Sequence, residues 1–284
     1  MRHLSDTDVE RALEGADIEG ALRAAFVDLA LGRAAQQLRM RTDAGGVKLS
    51  TLGAVVPSQG VVGAKVYTTI AGRFDFVIVL FSTADGRPIA TLEANAITRR
   101  RTAAVSLVAA RAAALPDVSS IVVFGTGVQA RAHADAFSRA YPGARLRLLG
   151  RADLAQAREA LAGAQVVVTA TRSPEPLFDG AWLAPGTFVA AVGSSRPDTR
   201  ELDDAAFARC TCAIVEWQPQ SLAEAGDLLR LAPAVRNRLR VFDLGDVLAG
   251  HAAARTSRED IVIFKSVGVG IEDVAVAGVA ISRS

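Results

Sequence analysis

The 284-residue chain has little lysine, cysteine, histidine or aromatic content, and each scarcity removes something. Two cysteines and three histidines are too few for the usual Cys/His zinc spacings, so no metal site is expected. Cys210 and Cys212 are read as strand residues pointing to one face. As buried free thiols they suit a reducing cytoplasm, the expected location. Apolar runs such as residues 76–81 are far too short to span a bilayer, and the acidic, polar start MRHLSDTDVE is unlike a signal peptide. Neither sign of charge dominates: 32 basic residues face 30 acidic ones, which gives no reason to invoke nucleic acid or a membrane surface. Only Lys48, Lys65 and Lys265 interrupt the arginines. A chain that writes arginine almost everywhere keeps lysine where a compact ammonium is useful, the alternative being a solvated surface lysine.

What is present is a globular composition, half of it apolar, in a length that suits two medium domains or one large one. Ser5-Asp6-Thr7-Asp8 resembles a capping box opening a short helix. Ile18, Ala21, Leu22, Ala25, Phe26 and Leu29 share one helical face, which predicts a helix over 17–31. The period then changes to two. Strands are expected near 37–42, 47–56, 61–70 and 75–83, with Asp85-Gly86 as the turn before a strand at 88–94. Strands without intervening helices imply a mostly antiparallel sheet, a layer separate from the rest of the chain. A helix is expected over 98–115, ended by Pro116-Asp117.

The chain is organised around SSIVVFGTGVQARAHADAF, residues 119–137. An apolar β-branched strand runs into Gly125-Thr126-Gly127-Val128-Gln129-Ala130 and then an alanine-rich helix. This is the opening unit of a dinucleotide-binding fold. Gly125 makes the tight turn, Gly127 lets the backbone approach a pyrophosphate, and Ala130 stands at the close helix–strand contact. Free N–H groups at the helix start would meet the phosphates. Strands at 145–149, 165–171, 187–193, 213–217 and 240–242, with a helix at 154–161, continue the alternation and predict a parallel, doubly wound sheet. Its ligand rim would carry 125–130, Gly150-Arg151, 169–172 and 193–196, Thr169 and Thr171 among them. The tail, 273–281, reads as a small-residue helix returning to the first domain. The expected class is α/β: a Rossmann-type doubly wound parallel sheet plus a second α+β domain with a mostly antiparallel sheet.

The second strand of such a fold usually ends in Asp or Glu, which binds the ribose hydroxyls of NAD. Here Gly150-Arg151 occupies that corner, with Asp153 nearby. A guanidinium suits a 2′-phosphate, so NADP(H) is expected to be preferred, with NAD(H) as the alternative. Arg99, Arg100 and Arg101 stand near a helix start, where cations oppose the helix dipole unless an anion binds there; spacing does not say which turns inward. Lys65 lies mid-strand on the face of Gly63 and Tyr67. Arg39 and Arg41 share one face of an earlier strand, and if these strands are neighbours, Arg39 and Lys65 could converge on one anion.

The runs LEANAITRRRTAAVSLVAAR, GTGVQARAH, AVGSSRPDTRELDD, EAGDLL and IVIFKSVGVGIEDVAVA occur in this order over nearly the whole chain. Together they resemble the ornithine cyclodeaminase/μ-crystallin family; RTAA, GVQA, SRPD-x-REL and FKS-x-G are specific in combination. The resemblance implies a substrate-binding and dimerisation domain at 1–112, completed by 266–284, and a nicotinamide-binding domain at 113–265. It implies a substrate-carboxylate clamp of Arg39, Lys65 and Arg101, with Lys65 also in the catalytic role. Cofactor contacts would come from Thr102, Gly125, Gly127, Val128, Gln129, Gly150, Arg151, Thr169, Thr171, and from Ser266, Val267 and Gly268 at the nicotinamide end. The family's usual Met-Pro-Ala reads here as Leu52-Gly53-Ala54.

One departure bears on chemistry. Cyclodeaminases and alanine dehydrogenases of this family carry an aspartate where this chain has Ser195. Taking hydride from an amine needs a base, which a lone hydroxyl does not supply near neutral pH. The SRPD-x-REL pattern resembles instead the μ-crystallin branch, whose members reduce cyclic ketimines with NADPH. Reducing a preformed imine asks for less, and Ser195 would serve at most as a weak catalytic or hydrogen-bonding group. The implied activity is therefore NADPH-dependent reduction of a small cyclic ketimine carboxylate by a homodimer. The alternatives are an ornithine cyclodeaminase or alanine-dehydrogenase-like oxidoreductase acting on an amino acid, and a low-turnover NADPH- and small-ligand-binding protein.

Overall fold

The computed structural model describes residues 1–284. They divide into two compact units, Met1–Val105 with Val269–Ser284, and Ser106–Gly268.

In the first unit seven strands form one mixed, mostly antiparallel sheet. They are β1 (Arg2–Leu4), β2 (Ala35–Gln36), β3 (Met40–Ala44), β4 (Val47–Val56), β5 (Val61–Ile70), β6 (Arg73–Ser82) and β7 (Pro88–Glu93), in the order β1-β7-β6-β5-β4-β2. β2 and β3 pair with different halves of the same strand, β4, and only β1 is parallel to its neighbour. The helices are α1 (Asp6–Ala12), α2 (Ile18–Ala30), α3 (Asn95–Ala113), whose later turns fall in the second unit, and α11 (Gly270–Ser282). The Ser5/Asp8 capping box opens α1, and Asp17 caps α2 by accepting from the Gly20 N–H.

Period-two patterning sets which side chains meet the core. Leu52, Ala54 and Val56 on β4 and Ile78 and Leu80 on β6 are buried on the face packed by α11. The opposite face carries Met40, Val47, Leu49, Val55, Val66, Ile70 and Val77, all between 37 and 66 % exposed. β1 has only three residues and shows no alternation, so sequence pattern misses it. α3 begins at Asn95, three residues before Thr98, which puts the arginine triplet in its second turn rather than its first.

The second unit contains β8 (Ser120–Phe124), α4 (Val128–Ala140), β9 (Arg145–Leu149), α5 (Ala157–Leu161), β10 (Val166–Thr169), β11 (Phe188–Ala191), α6 (Asp204–Arg209), β12 (Cys212–Val215), α7 (Gln218–Glu224), α8 (Gly226–Leu229), α9 (Pro233–Arg236), β13 (Val241–Asp243), α10 (Leu244–Ala249) and β14 (Val262–Lys265). All seven strands are parallel, in the order β13-β12-β14-β11-β10-β8-β9. This is the doubly wound Rossmann-type sheet. The strand order reverses between β8 and β10, which is where such sheets open a ligand crevice.

Two expectations are corrected here, and a strand that the sequence did not mark appears. The helix expected over 154–161 is a 3₁₀ segment, Arg151–Gln156, followed by the short α5, because Asp153 turns back to accept the Gly150 N–H. β14 lies in the interior of the sheet, yet VIFK has no alternation to mark it as a strand, being buried on both faces. Cys210 does not lie on a strand; it ends α6, while Cys212 lies in β12. Both are free thiols.

Candidate active site

In the first unit the functional side chains are set by strand pairing. Lys65 on β5 stands opposite Leu52 on β4 and Ile78 on β6, so it points to the buried face and is only 3 % exposed. Arg41 pairs with Ser50 of β4, and Arg39, two residues earlier, stands half-buried near this face. Arg39 acts electrostatically on both Lys65 and Asp273. Arg101 reaches the same place from α3. Two of its neighbours do not, since Arg99 and Arg100 turn to Glu10 of α1.

What these cations meet is a pair of carboxylates from the chain itself. Asp273 Oδ2 lies 2.7 Å from Lys65 Nζ, and Asp273 Oδ1 accepts from Arg101 Nε at 3.1 Å. Arg101 also donates to Glu272. Both acids are fully buried in the first turn of α11. Gly270 makes this approach feasible: a Cβ there would lie 2.7 Å from the Gly53 carbonyl oxygen on β4. The Lys65 ammonium sits 5.2 Å from the Phe76 ring centroid and 5.9 Å from that of Tyr67, within range of cation–π attraction.

These groups push one another's titrations. Burial drives Lys65 down to about 8; the Asp273 carboxylate opposes this, and the Arg101 and Arg39 charges add to it. Burial pushes Asp273 up, but Arg101 and Lys65 outweigh it and hold the carboxyl below its usual range. Arg39, Lys65 and Arg101 thus act on the Asp273 carboxylate together. Thr102, one residue on, is buried and donates its hydroxyl to the Thr98 carbonyl.

In the second unit the Gly-rich turn has the shape a dinucleotide needs. Gly125 has φ +119°, and a Cβ there would lie 2.6 Å from the Ala170 carbonyl oxygen and 3.1 Å from the Ala130 Cβ. Nothing lies within 4 Å of the Cβ position at Gly127, so the backbone there is open to a ligand. α4 starts without a side-chain cap, which leaves its first N–H groups for an anion. Val128 is exposed and Gln129 half-buried at this end. Arg151 is exposed at the β9 corner. Asp153 Oδ2 is committed to the Gly150 N–H at 2.9 Å. The residues present thus fit a phosphate-bearing nucleotide.

Beneath the same rim lies a buried polar network that the sequence pattern does not reveal. Glu201 accepts from Thr169 Oγ1, from the N–H and hydroxyl of Thr171, and from the N–H groups of Gly193 and Ser194. Burial raises its titration, an effect the Lys265 charge opposes and Asp227 reinforces. Lys265 Nζ lies 2.9 Å from Asp227 Oδ2 and donates to the Ala191 carbonyl. Glu216 accepts from the Ser266 hydroxyl at 2.5 Å and from the N–H groups of Val267 and Gly268 at 2.7 and 2.9 Å. Gln220 donates to the Gly268 carbonyl. Ser195 is half-buried on the loop after β11. Two of the three lysines are thus buried in ion pairs, while Lys48 sits 3.4 Å from Asp43 at the surface. No group of three or more His, Cys, Asp and Glu is arranged to hold a metal ion, and no helix is long and apolar enough to cross a membrane.

These buried acids share a signal. Glu272-Asp273 interrupts an otherwise apolar helix, and Glu201, Glu216 and Asp227 each stand beside buried apolar residues. A charge inside an apolar segment marks either a solvated edge or a buried pair, and the pairing partner decides between them.

Known proteins resemble this chain in sequence and in fold. The model of the ornithine cyclodeaminase/mu-crystallin family matches residues 1–158 and 152–283. A mouse (Mus musculus) ketimine reductase mu-crystallin is 32 % identical over 216 residues, 70 % of this chain. That match spans 66 % of the mouse protein, just under two thirds of its length. The crystal structure of a probable ornithine cyclodeaminase from Bordetella pertussis Tohama I superposes with a TM-score of 0.92 at 49 % identity, covering 100 % of this chain and 96 % of the other. The structure of Thermococcus litoralis Δ1-pyrroline-2-carboxylate reductase, in complex with NADH and L-proline, gives 0.88 at 25 % identity over 100 % and 97 %. The chain belongs to the ornithine cyclodeaminase/μ-crystallin family.

Proposed function

We propose that this protein reduces a small cyclic ketimine carboxylate, of the Δ1-pyrroline-2-carboxylate or Δ1-piperideine-2-carboxylate type, to the cyclic amino acid with NADPH. The observation that carries the reading is the buried meeting of the Lys65 ammonium and the Arg101 guanidinium around Asp273. An ammonium and a guanidinium side by side offer a carboxylate charge-assisted hydrogen bonds. Tyr67 and Phe76 beside the Lys65 ammonium offer an apolar wall for a small ring. The names of the mouse and Thermococcus relatives point to the same substrate class.

The chain's own work is mostly placement. Lys65 and Arg101 hold the carboxylate, and fixing it removes freedom that would otherwise oppose reaction at the adjoining carbon. A bound nicotinamide supplies hydride. Gly127, Val128 and Gln129 would hold the pyrophosphate, and the segment Ser266–Gly268 the nicotinamide end. The imine carries its own proton on nitrogen as the iminium, so hydride addition yields the amine without a base. This fits Ser195 in place of an acid. Arg151 at the ribose corner, with Asp153 turned to the backbone, favours NADPH, although the Thermococcus structure contains NADH.

The exposed apolar sheet face of the first unit is proposed to pair with a second copy. Seven large apolar side chains on one sheet face are more than a monomer usually leaves in water. Light scattering should give twice the chain mass, and Leu49→Lys with Val66→Lys should give the monomer.

The deciding experiment is to follow NADPH consumption against a panel of cyclic imine carboxylates, ornithine, alanine and pyruvate with ammonia. Turnover confined to the imines upholds the reading. Ammonia release from ornithine, or pyruvate amination at comparable rates, would replace it with the amino-acid oxidoreductase reading. Binding without turnover would make the protein a ligand carrier.

A further inference from the structure

We propose that Asp273 is the positioning residue for Lys65, holding it in place as an ammonium ion between two guanidinium groups so that it meets the substrate carboxylate charged. The inference rests on the reading that Lys65 faces that carboxylate.

The argument begins with cost. α11 is apolar on every side near its start, with Ile271, Val274, Ala275 and Val276 fully buried, yet Glu272 and Asp273 are buried among them. Taking carboxylates and their partners out of water costs several kcal/mol per ion, and apolar residues of similar volume usually serve stability as well. A pair kept at such cost is explained by what it does to its partners. The two acids divide their contacts. Glu272 engages Arg101, whereas Asp273 spans both cations, Oδ1 toward Arg101 and Oδ2 toward Lys65.

The surroundings of Lys65 show why one carboxylate matters. From its own strand it meets Tyr67, from β6 Phe76, from the segment before β3 Arg39, from α3 Arg101, and from α11 Asp273 with Glu272 beyond Arg101. Every charged side chain acting on Lys65 except Asp273 in that set is either a cation or already engaged by one. Burial and the two guanidinium groups all favour a neutral amine. Asp273, 2.7 Å away, is the charged group that works against them, beside the weaker pull of the two rings. Its place in the first turn of α11 lets the helix dipole help keep it ionised, so that it holds its charge while stabilising another.

The test uses the whole chain with ¹³C and ¹⁵N label in lysine. Three lysines give three side-chain signals, and Lys65→Arg identifies the one of interest. In the unaltered protein the Lys65 signal should titrate near 8. In Asp273→Asn the midpoint should fall by about 1 pH unit or more, as expected for losing an opposite charge in contact. Asp273→Glu should restore most of it. The alkaline limb of kcat/KM for an imine should move in parallel, with KM raised more than kcat is lowered.

An unmoved Lys65 midpoint in Asp273→Asn overturns the proposal, as does a fall that Asp273→Glu leaves uncorrected. Where neither variant folds, the unaltered protein decides. A Lys65 side chain that is still an ammonium ion at pH 7 upholds the proposal, and one that is neutral there overturns it. The two readings fail separately. Imine turnover with an unmoved midpoint removes the role of Asp273 alone, whereas a shifted midpoint without imine turnover removes the proposed reaction and leaves the ion pair as found.

Discussion

Gly270 and Gly53 touch backbone to backbone: a Cβ on Gly270 would lie 2.7 Å from the Gly53 carbonyl oxygen and 3.1 Å from its nitrogen. The first turn of α11 therefore rests directly on β4, and this brings Glu272 and Asp273 to the level of Lys65. Gly270→Ala should cost about 1–3 kcal/mol of stability, the usual range for overpacking. Because the obstruction is backbone rather than a movable side chain, the helix has to shift. Thermal or denaturant unfolding will show the loss. KM for the imine should rise with it, since the acids move with the helix.

The charge clamp predicts an unequal pair of effects. Lys65→Met should lower kcat/KM for a cyclic imine by roughly 10²-fold, the scale of losing a charged hydrogen-bond partner. Arg99→Ala should change it little, because Arg99 turns to Glu10. Steady-state kinetics on the two variants checks both. An unchanged value for Lys65→Met takes Lys65 out of the site.

The pH profile is set by the direction of the Lys65 shift. Its folded value, about 8, lies below the ordinary 10.5. Below 8 the ammonium is present and binds the carboxylate; above it the charge is lost, so kcat/KM should fall as pH rises through 8. Stability runs the other way. Between 8 and 10.5 the unfolded chain binds more protons at this group, so the Lys65 contribution should favour folding increasingly across that window. Comparing unfolding free energies of the unaltered chain and Lys65→Met at pH 7.5 and 9.5 isolates that contribution.

Cofactor choice is expected to hang on one exposed guanidinium. Arg151→Ala should raise KM for NADPH by about tenfold, equivalent to about 1.4 kcal/mol, and leave KM for NADH nearly unchanged. Equal effects on both nucleotides would show that Arg151 does not read the 2′-phosphate. Glu216→Gln, in contrast, should weaken both nucleotides alike. It sets an amide N–H₂ against the donors of Ser266, Val267 and Gly268 and loosens the segment they form.

The thiols should be inert in the folded protein. Burial pushes Cys210 up to about 12 and Cys212 to about 11, and the thiolate is the reactive form. Thiol titration at pH 8 should find none in the native state and two after denaturation.

Local periodicity carried much of this fold in the sequence. The bounds of β4, β5 and β9 coincide with the periodic segments, and the α2 bounds fall within a residue of theirs, because alternation and helical faces are short-range consequences of burying one side. The Gly125–Ala130 turn was legible for a related reason: a tight turn, an open backbone and a close helix contact each demand a small residue at a fixed place. Nothing local marked β14, which is buried on both faces, or told Arg101 from Arg99 and Arg100. Those were decided by partners far along the chain. Arg101 and Asp273 are 172 residues apart, and their meeting depends on β4 and β5 lying side by side with α11 pressed against them. A sequence pattern states which side of an element avoids water. Which buried charge answers which is settled only when the elements pack, because an ion pair in the interior needs its partner within a few ångströms and the chain's order does not measure that distance.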